Sequence, residues 1–285
     1  LARDKVLLLD PTNCLENIEK ASFAGNTNPY MTNRPAPVLK GKDFASSEEV
    51  EAYDKLCELS KLSPIPDNEM LANLGLFLVR GSFVRLMFLH KLYLKSLCTS
   101  GVIMEFGVRW GQNLALFMTF RNIYEPYNLS RKIIGFDTWE GFPAVSPLDG
   151  GAPTARVGGL SVTPDYETYL EQILSAHQKT TPRTAIKQHQ LIKGNVIETL
   201  PKYLKDHPET IISLAYFDMN LYEPTKKCLE VIKPHLAKNS IVGFDQLVWD
   251  EFPGETLALK EAWGLSDFEI IRDPLSPMQS YLVMG

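Results

Sequence analysis

From about residue 100 onward the chain alternates short apolar runs with stretches of helical length. The runs at 102–106, 132–136, 189–193, 211–217, 240–244, 268–271 and 281–284 are rich in Ile, Val, Leu, Phe and Tyr, the length and composition of buried strands. Between them, 114–123, 166–177, 196–207, 224–236 and 254–263 have the length of helices, and 225–236 spaces its apolar residues at a helical period. Strands that alternate with helices build βαβ units. The pattern therefore predicts an α/β fold with a doubly wound, mostly parallel, seven-stranded sheet. The glycine- and proline-punctuated stretch 144–164 is too long for an ordinary connection and is expected to be a mobile lid.

Ahead of this pattern the chain has no sustained period. Residues 1–70 are read as a partly helical N-terminal arm and 71–285 as the main domain. The arm holds a loop-like stretch at 26–37, and Ser46, Ser47 and Glu49 open a predicted helix through Leu62, since hydroxyl and acidic groups satisfy a helix N-terminus. The apolar stretch from Leu71 to Leu97 is interrupted by Arg80, Arg85, His90, Lys91 and Lys95, which excludes a membrane span and predicts one amphipathic helix. An arm of this kind is expected to exchange between subunits of a homo-oligomer.

Composition narrows the function classes. A net charge of −5 with scattered basic residues leaves no electrostatic footprint for nucleic acid or an anionic membrane, so the expected partner is a small-molecule acceptor. The four cysteines, Cys14, Cys57, Cys98 and Cys228, form no CxxC pair, which excludes a zinc knot and a disulfide scaffold and makes a cytoplasmic protein the expectation. No signal peptide is visible. The chain begins at Leu1 rather than Met, which keeps open a domain of a larger synthase.

The first strand runs into Glu105-Phe-Gly107-Val-Arg109-Trp-Gly111-Gln-Asn113. Gly107 and Gly111 permit a tight turn and a close backbone approach to a ligand before a helix begins. Asp137, at the end of the next strand, is placed to accept the hydroxyls of a ribose. The spacing is not the dinucleotide GxGxxG, and Glu105 would repel a pyrophosphate. A carboxylate there favours a ligand with a cationic end, such as an amine or sulfonium. A nicotinamide dehydrogenase is accordingly disfavoured.

The segments EFGVRWGQN, GFDTWEGFP, YFDMNLYEPT and GFDQL, in that order from Met104 to the C-terminus, resemble the macrocin O-methyltransferase (TylF-type) family. That resemblance implies a class I methyltransferase fold with S-adenosylmethionine as methyl donor. In several relatives a divalent metal, usually magnesium (Mg2+), is also used. Carried onto this sequence, it puts Glu105 and Gly107 beside the methionine part of the cofactor, with Gly111 and Asn113 in the same motif. It puts Asp137, Thr138 and Trp139 at the ribose and adenine, and Gly194 and Asn195 at the border of the adenine ring. Asp218 would be the catalytic base and, with Asp245 and Gln246, a metal ligand. This chain departs from the family pattern on the acceptor side: Asp218-Met-Asn220 replaces DxD and Asp245-Gln246 replaces Asp-Asp. Two carboxylates have become amides, so a divalent ion would be held more weakly.

An alcohol needs a base or a cation within reach to act as a nucleophile, and the resemblance assigns the first to Asp218. Trp139, Phe142 and Trp249 are candidate walls for a purine or sugar, although such aromatics are more often plain core, and Arg109 and Lys260 are candidate contacts to a nucleotide diphosphate, for which a solvated surface charge is at least as good a reading. None of the histidines, among them His177, His189 and His207, is assigned a role. The expectation is an O-methyltransferase acting on a hydroxyl of a secondary metabolite, a sugar or glycosylated product. The alternatives are a polyketide or peptide-polyketide hydroxyl and a silent cofactor-binding module.

Overall fold

The computed structural model describes residues 46–182, 185–276 and 278–285. The loop at 26–37, Cys14 and most of the arm lie outside the described residues. The described residues fall into two compact units that part between Val79 and Arg80.

In the first unit, α1 (Ser47–Lys61) starts at the expected place. The Ser46 hydroxyl accepts the Glu49 N–H at 3.2 Å and the Glu49 carboxylate accepts the Ser46 N–H at 2.9 Å, a reciprocal cap that satisfies two otherwise orphaned donors. Pro66 precedes the short α2 (Asp67–Met70), which runs into a 3-10 turn at Leu71–Phe77. The continuous helix expected from Leu71 is therefore broken: Leu78 is extended, and a new helix begins at Arg80. Gly75 and Gly81 flank the break, and each lowers helix propensity by about 1 kcal/mol relative to alanine. Among the described residues no single helix is long and apolar enough to cross a membrane.

The second unit carries α3 (Arg80–Ser96), β1 (Val102–Phe106), α4 (Gln112–Tyr124), β2 (Ile133–Asp137), α5 (Tyr166–Lys179), β3 (His189–Lys193), α6 (Val196–Asp206), β4 (Ile212–Phe217), α7 (Tyr222–Ile232), β5 (Leu236–Phe244), α8 (Gly254–Ala262), β6 (Ile271–Arg272) and β7 (Ser280–Val283). The strands form one seven-stranded sheet in the order β3-β2-β1-β4-β5-β7-β6. The first five pair in parallel; at one edge β7 runs antiparallel to β5, and β6 pairs antiparallel to β7. The expected doubly wound architecture is thus observed. The last strands depart from their predicted lengths: β5 begins at Leu236, beyond a register shift against β4, and β6 keeps only two residues at the exposed edge.

Strand periodicity decides which side chains meet which helices. Met104, Phe106, Ala215, Phe217, Val242 and Phe244 point to the face covered by Leu200 and Leu204 of α6, Cys228 and Leu229 of α7 and Ala258 and Leu259 of α8. Ile103, Leu214, Tyr216 and Ile241 point to the other face, under Phe88, Leu89 and Leu92 of α3 and Leu114, Phe117 and Met118 of α4. Both faces are covered, which is why β1, β2 and β4 read as nearly continuous apolar runs. The strands end in register: Phe106 pairs with Phe136 and Phe217, and Phe217 with Phe244. Their rings lie 4.9–5.4 Å apart. Directly after these four phenylalanines come Asp137, Gly107, Asp218 and Asp245. The aromatic row is the floor on which the polar rim of the sheet stands.

Candidate functional site

Strand order reverses between β1 and β4, since β2 lies on one side of β1 and β4 on the other. The crevice beyond the carboxyl ends of strands at such a switch point is where open α/β sheets take ligands. Gly107 closes this place from below. A Cβ there would lie 2.2 Å from the Asp218 carbonyl oxygen, and Gly107 holds φ at +87°, so no other residue lets β1 and the exit of β4 come this close.

Period 2 places Glu105 on the face of α3 and α4, where it is fully buried. Its Oε1 accepts the Asn113 side-chain N–H at 2.7 Å. Asn113 Oδ1 in turn accepts Arg85 Nε–H at 3.1 Å. The Arg85 fork reaches on to both acceptor-side carboxylates: Nη2 donates to Asp218 Oδ2, and Nη1 lies 2.6 Å from Asp245 Oδ1. The Tyr216 hydroxyl and the Gln279 amide also donate to Asp245 Oδ1, at 3.1 and 3.0 Å. One polar network thus runs from the end of β1 to the end of β5 through a guanidinium carried by α3.

The electrostatics follow from burial. Glu105 is pushed well above the usual carboxylate range by burial, against the Asn113 hydrogen bond. Its Oε2 is buried without a partner among the described residues, a vacancy in hydrogen bonding that a cationic ligand group would fill. Burial disfavours the charged form of Arg85, but Asp245 and Asp218 more than offset this and raise its pKa. Tyr216 is raised by burial and by the neighbouring Asp245 charge. The carboxylates differ in access: the Asp245 side chain is 4% exposed and that of Asp218 is 17% exposed.

The other expected cofactor residues line the same rim, with jobs in the fold as well. Asp137 Oδ2 accepts the N–H groups of Val108 and Arg109 at 2.7 and 2.8 Å, and Oδ1 that of Trp139 at 2.6 Å. Its carboxylate therefore staples the turn after β1. Thr138 bonds to the Gly141 carbonyl, and buried Trp139 donates its indole N–H to the Arg109 carbonyl at 3.1 Å. Gly111 takes a left-handed conformation at the N-cap of α4. Gly194 N–H donates to the Asp137 carbonyl, and Asn195 caps α6 by accepting Ile197 N–H at 3.1 Å. Arg109 is half-buried near Asp218 and Asp137, and burial lowers its pKa against them. Lys260 is exposed on α8.

The expected metal set does not fit a divalent ion in this arrangement. Asp218 and Asp245 both hold the Arg85 guanidinium, and Gln246 donates its amide N–H to the Asn220 side chain. Among the described residues no group of three His, Cys, Asp or Glu converges as a metal cage.

The segment expected as a lid holds a 3-10 turn at Pro147–Asp149. The buried Asp149 carboxylate accepts Ser146 N–H and Tyr222 N–H, each at 2.6 Å. Phe142 and Ala152 pack with Leu221 and Phe252, and Trp249 lies against them. These bonds tie it to the loops that leave β4 and β5, the carriers of Asp218 and Asp245. His177 and His189 sit away from this rim, on α5 and β3.

Sequence reading missed Arg85, Glu255, Tyr216 and Gln279. Glu255 is fully buried, and its Oε1 accepts the N–H groups of Met219 and Asn220 at 2.9 Å each. It fixes the loop that follows Asp218. A signal for Arg85 existed: it lies three and four residues before Phe88 and Leu89, on the buried stripe of α3. A charge on an apolar helical stripe needs a buried partner.

The chain is 42% identical to the calicheamicin methyltransferase CalS11, covering 89% of this chain and 99% of that one with a TM-score of 0.83. An apo structure of CalS11, described as a TDP-rhamnose 3'-O-methyltransferase of calicheamicin biosynthesis, matches at 40% identity and a TM-score of 0.75, over 87% and 100% of the two chains. The O-methyltransferase NovP shares the fold at 18% identity and a TM-score of 0.53, over 70% and 79%. No family model and no curated protein matches the chain.

Proposed function

The chain belongs to the TylF-like sugar O-methyltransferase family, and on that premise we propose that it methylates a deoxysugar hydroxyl carried on a nucleoside diphosphate, with Asp218 as the base. It is an S-adenosylmethionine-dependent O-methyltransferase of natural-product biosynthesis. The observation that carries the acceptor class is 42% identity over nearly the whole length of a calicheamicin methyltransferase, whose apo form is described as acting on TDP-rhamnose.

S-adenosylmethionine supplies a methyl group on a sulfonium, open to in-line displacement. Glu105, through its unpartnered Oε2, would receive the ammonium of the methionine end; a cation beside it favours the charged carboxylate. Gly107 lets the turn after β1 pass close to the exit of β4, Gly111 lets it pack against Leu170, and Asp137 holds that turn through two N–H bonds, from Val108 and Arg109. Asp218 is the carboxylate with access to the crevice. It accepts the hydroxyl proton as the oxygen–methyl bond forms and the carbon–sulfur bond breaks, the electron pair staying on sulfur. Holding oxygen, carbon and sulfur in line supplies a large part of the rate.

The reading is tested by incubating the protein with S-adenosylmethionine and TDP-rhamnose and following the product by mass spectrometry. A product heavier by one methylene, formed together with S-adenosylhomocysteine, is expected. Methylation of a carrier-bound polyketide with none of the sugar nucleotide would overturn it.

A further inference from the structure

The fork of Arg85 fills the space between the two carboxylates that the family pattern gives to a divalent ion. Nη2 donates to Asp218, Nη1 is 2.6 Å from Asp245, and Nε donates to Asn113 at 3.1 Å, so three sides of the guanidinium are held. A planar fork suits two separate carboxylates better than a point charge does. The remaining positions of the family's acidic set are Asn220 and Gln246, which bond to each other as neutral amides. Asp218 and Asp245 thus both hold the Arg85 guanidinium, and an incoming divalent ion would have to displace it from between them.

We propose that Arg85 is the resident cation of this site: it holds Asp218 and Asp245 in place and offsets their charge, so that methyl transfer runs without a divalent metal. Arg85 acts as a positioning residue, through Asp218. The loss of two carboxylates at 220 and 246 and the presence of a half-buried arginine on α3 are then two sides of one change, because a site that carries its own cation has no use for the extra ligands. The kinetic part of this inference rests on Asp218 being the base; the metal-binding part does not.

The test has two arms. In the first, wild-type protein stripped with EDTA is titrated with Mn2+ and followed by electron paramagnetic resonance. No saturable site is expected up to about 1 mM, where weak carboxylate sites end, and Arg85→Ala is expected to gain one Mn2+ per chain. A stoichiometric micromolar site in the wild type would overturn the proposal, whether or not the variant folds.

In the second arm, methyl transfer by the wild type is expected to be unchanged within about twofold by EDTA or added Mg2+. Arg85→Ala is expected to lose about a hundredfold, the scale of a misplaced general base, in kcat rather than KM, with partial rescue by free guanidinium. An EDTA-sensitive wild type restored by Mg2+ would sink the idea, as would full activity in Arg85→Ala. If the wild type turns over no sugar nucleotide, the acceptor reading fails while the Mn2+ result still judges Arg85.

Discussion

Replacing Asp218 with Asn removes a charge while keeping size and shape, and the structure indicates what survives. Arg85 keeps Asp245 at 2.6 Å and Asn113 at 3.1 Å. The following loop keeps its anchor, because Met219 and Asn220 donate their N–H groups to Glu255 rather than to Asp218. The lost ion pair is partly solvated, with side chains 21% and 17% exposed. Screening there limits the stability loss to about 1 kcal/mol, a fall of about 2–4 °C in Tm for a domain of this size. The chemical loss is far larger. A positioned base contributes about 10²–10⁴-fold, about 2.7–5.4 kcal/mol of barrier at 1.36 kcal/mol per tenfold. Single-turnover methyl transfer with labelled S-adenosylmethionine measures that loss, and calorimetry with S-adenosylhomocysteine checks that the cofactor site is intact. A variant that keeps more than about a tenth of the wild-type rate with unchanged S-adenosylhomocysteine affinity refutes Asp218 as the base.

Arg131 is almost fully buried and donates to the carbonyls of Gly101 at 2.8 Å, Thr99 at 3.0 Å and Ser96 at 3.2 Å and to Glu125 at 2.9 Å. Arg131→Met takes the buried cation from Glu125, which keeps only the Tyr93 and Asn128 donors, and removes the guanidinium bonds to those carbonyls, costing about 3–5 kcal/mol and about 6–20 °C in Tm by scanning calorimetry; an unchanged Tm contradicts the assignment. Gly107→Ala sets a Cβ 2.2 Å from the Asp218 carbonyl at a φ of +87°. It is expected to cost at least about 1–3 kcal/mol of backbone strain and to lower activity by displacing Asp218, which turnover with wild-type kinetics would disprove. His189 is kept neutral by burial, which lowers its pKa against the Glu171 hydrogen bond. The unfolded chain takes up the proton below about pH 6.5 while the folded chain resists it, so stability falls as pH falls through that value. Denaturant midpoints between pH 7 and 5.5 should show this slope, and His189→Gln should flatten it; equal slopes refute the reading.

Much of the frame was legible because it rests on local pattern. The alternation of apolar runs with helical stretches fixed five parallel strands and their helices, since sheet burial on both faces demands those runs. The Ser46 cap was readable because its chemistry lies within four residues. Gly107 and Asp137 were readable from their places at the ends of predicted strands, and Asp218 and Asp245 from the resemblance of their segments to the family's motifs. The helix from Leu71 was misread because its apolar composition hid the cumulative weakness of Gly75 and Gly81.

What tertiary structure alone decided is the identity of the cation. Arg85 and Asp218 are 133 residues apart, and no spacing rule connects α3 to the ends of β4 and β5. Only the handed winding of the chain about the sheet carries α3 across the face where Glu105 and Tyr216 emerge. The local pattern and the family motifs therefore determined which carboxylates stand at the rim of the sheet. The packing of a helix from outside that pattern determined which positive charge those carboxylates hold, because charge pairing across a sheet depends on distance in space and not along the chain.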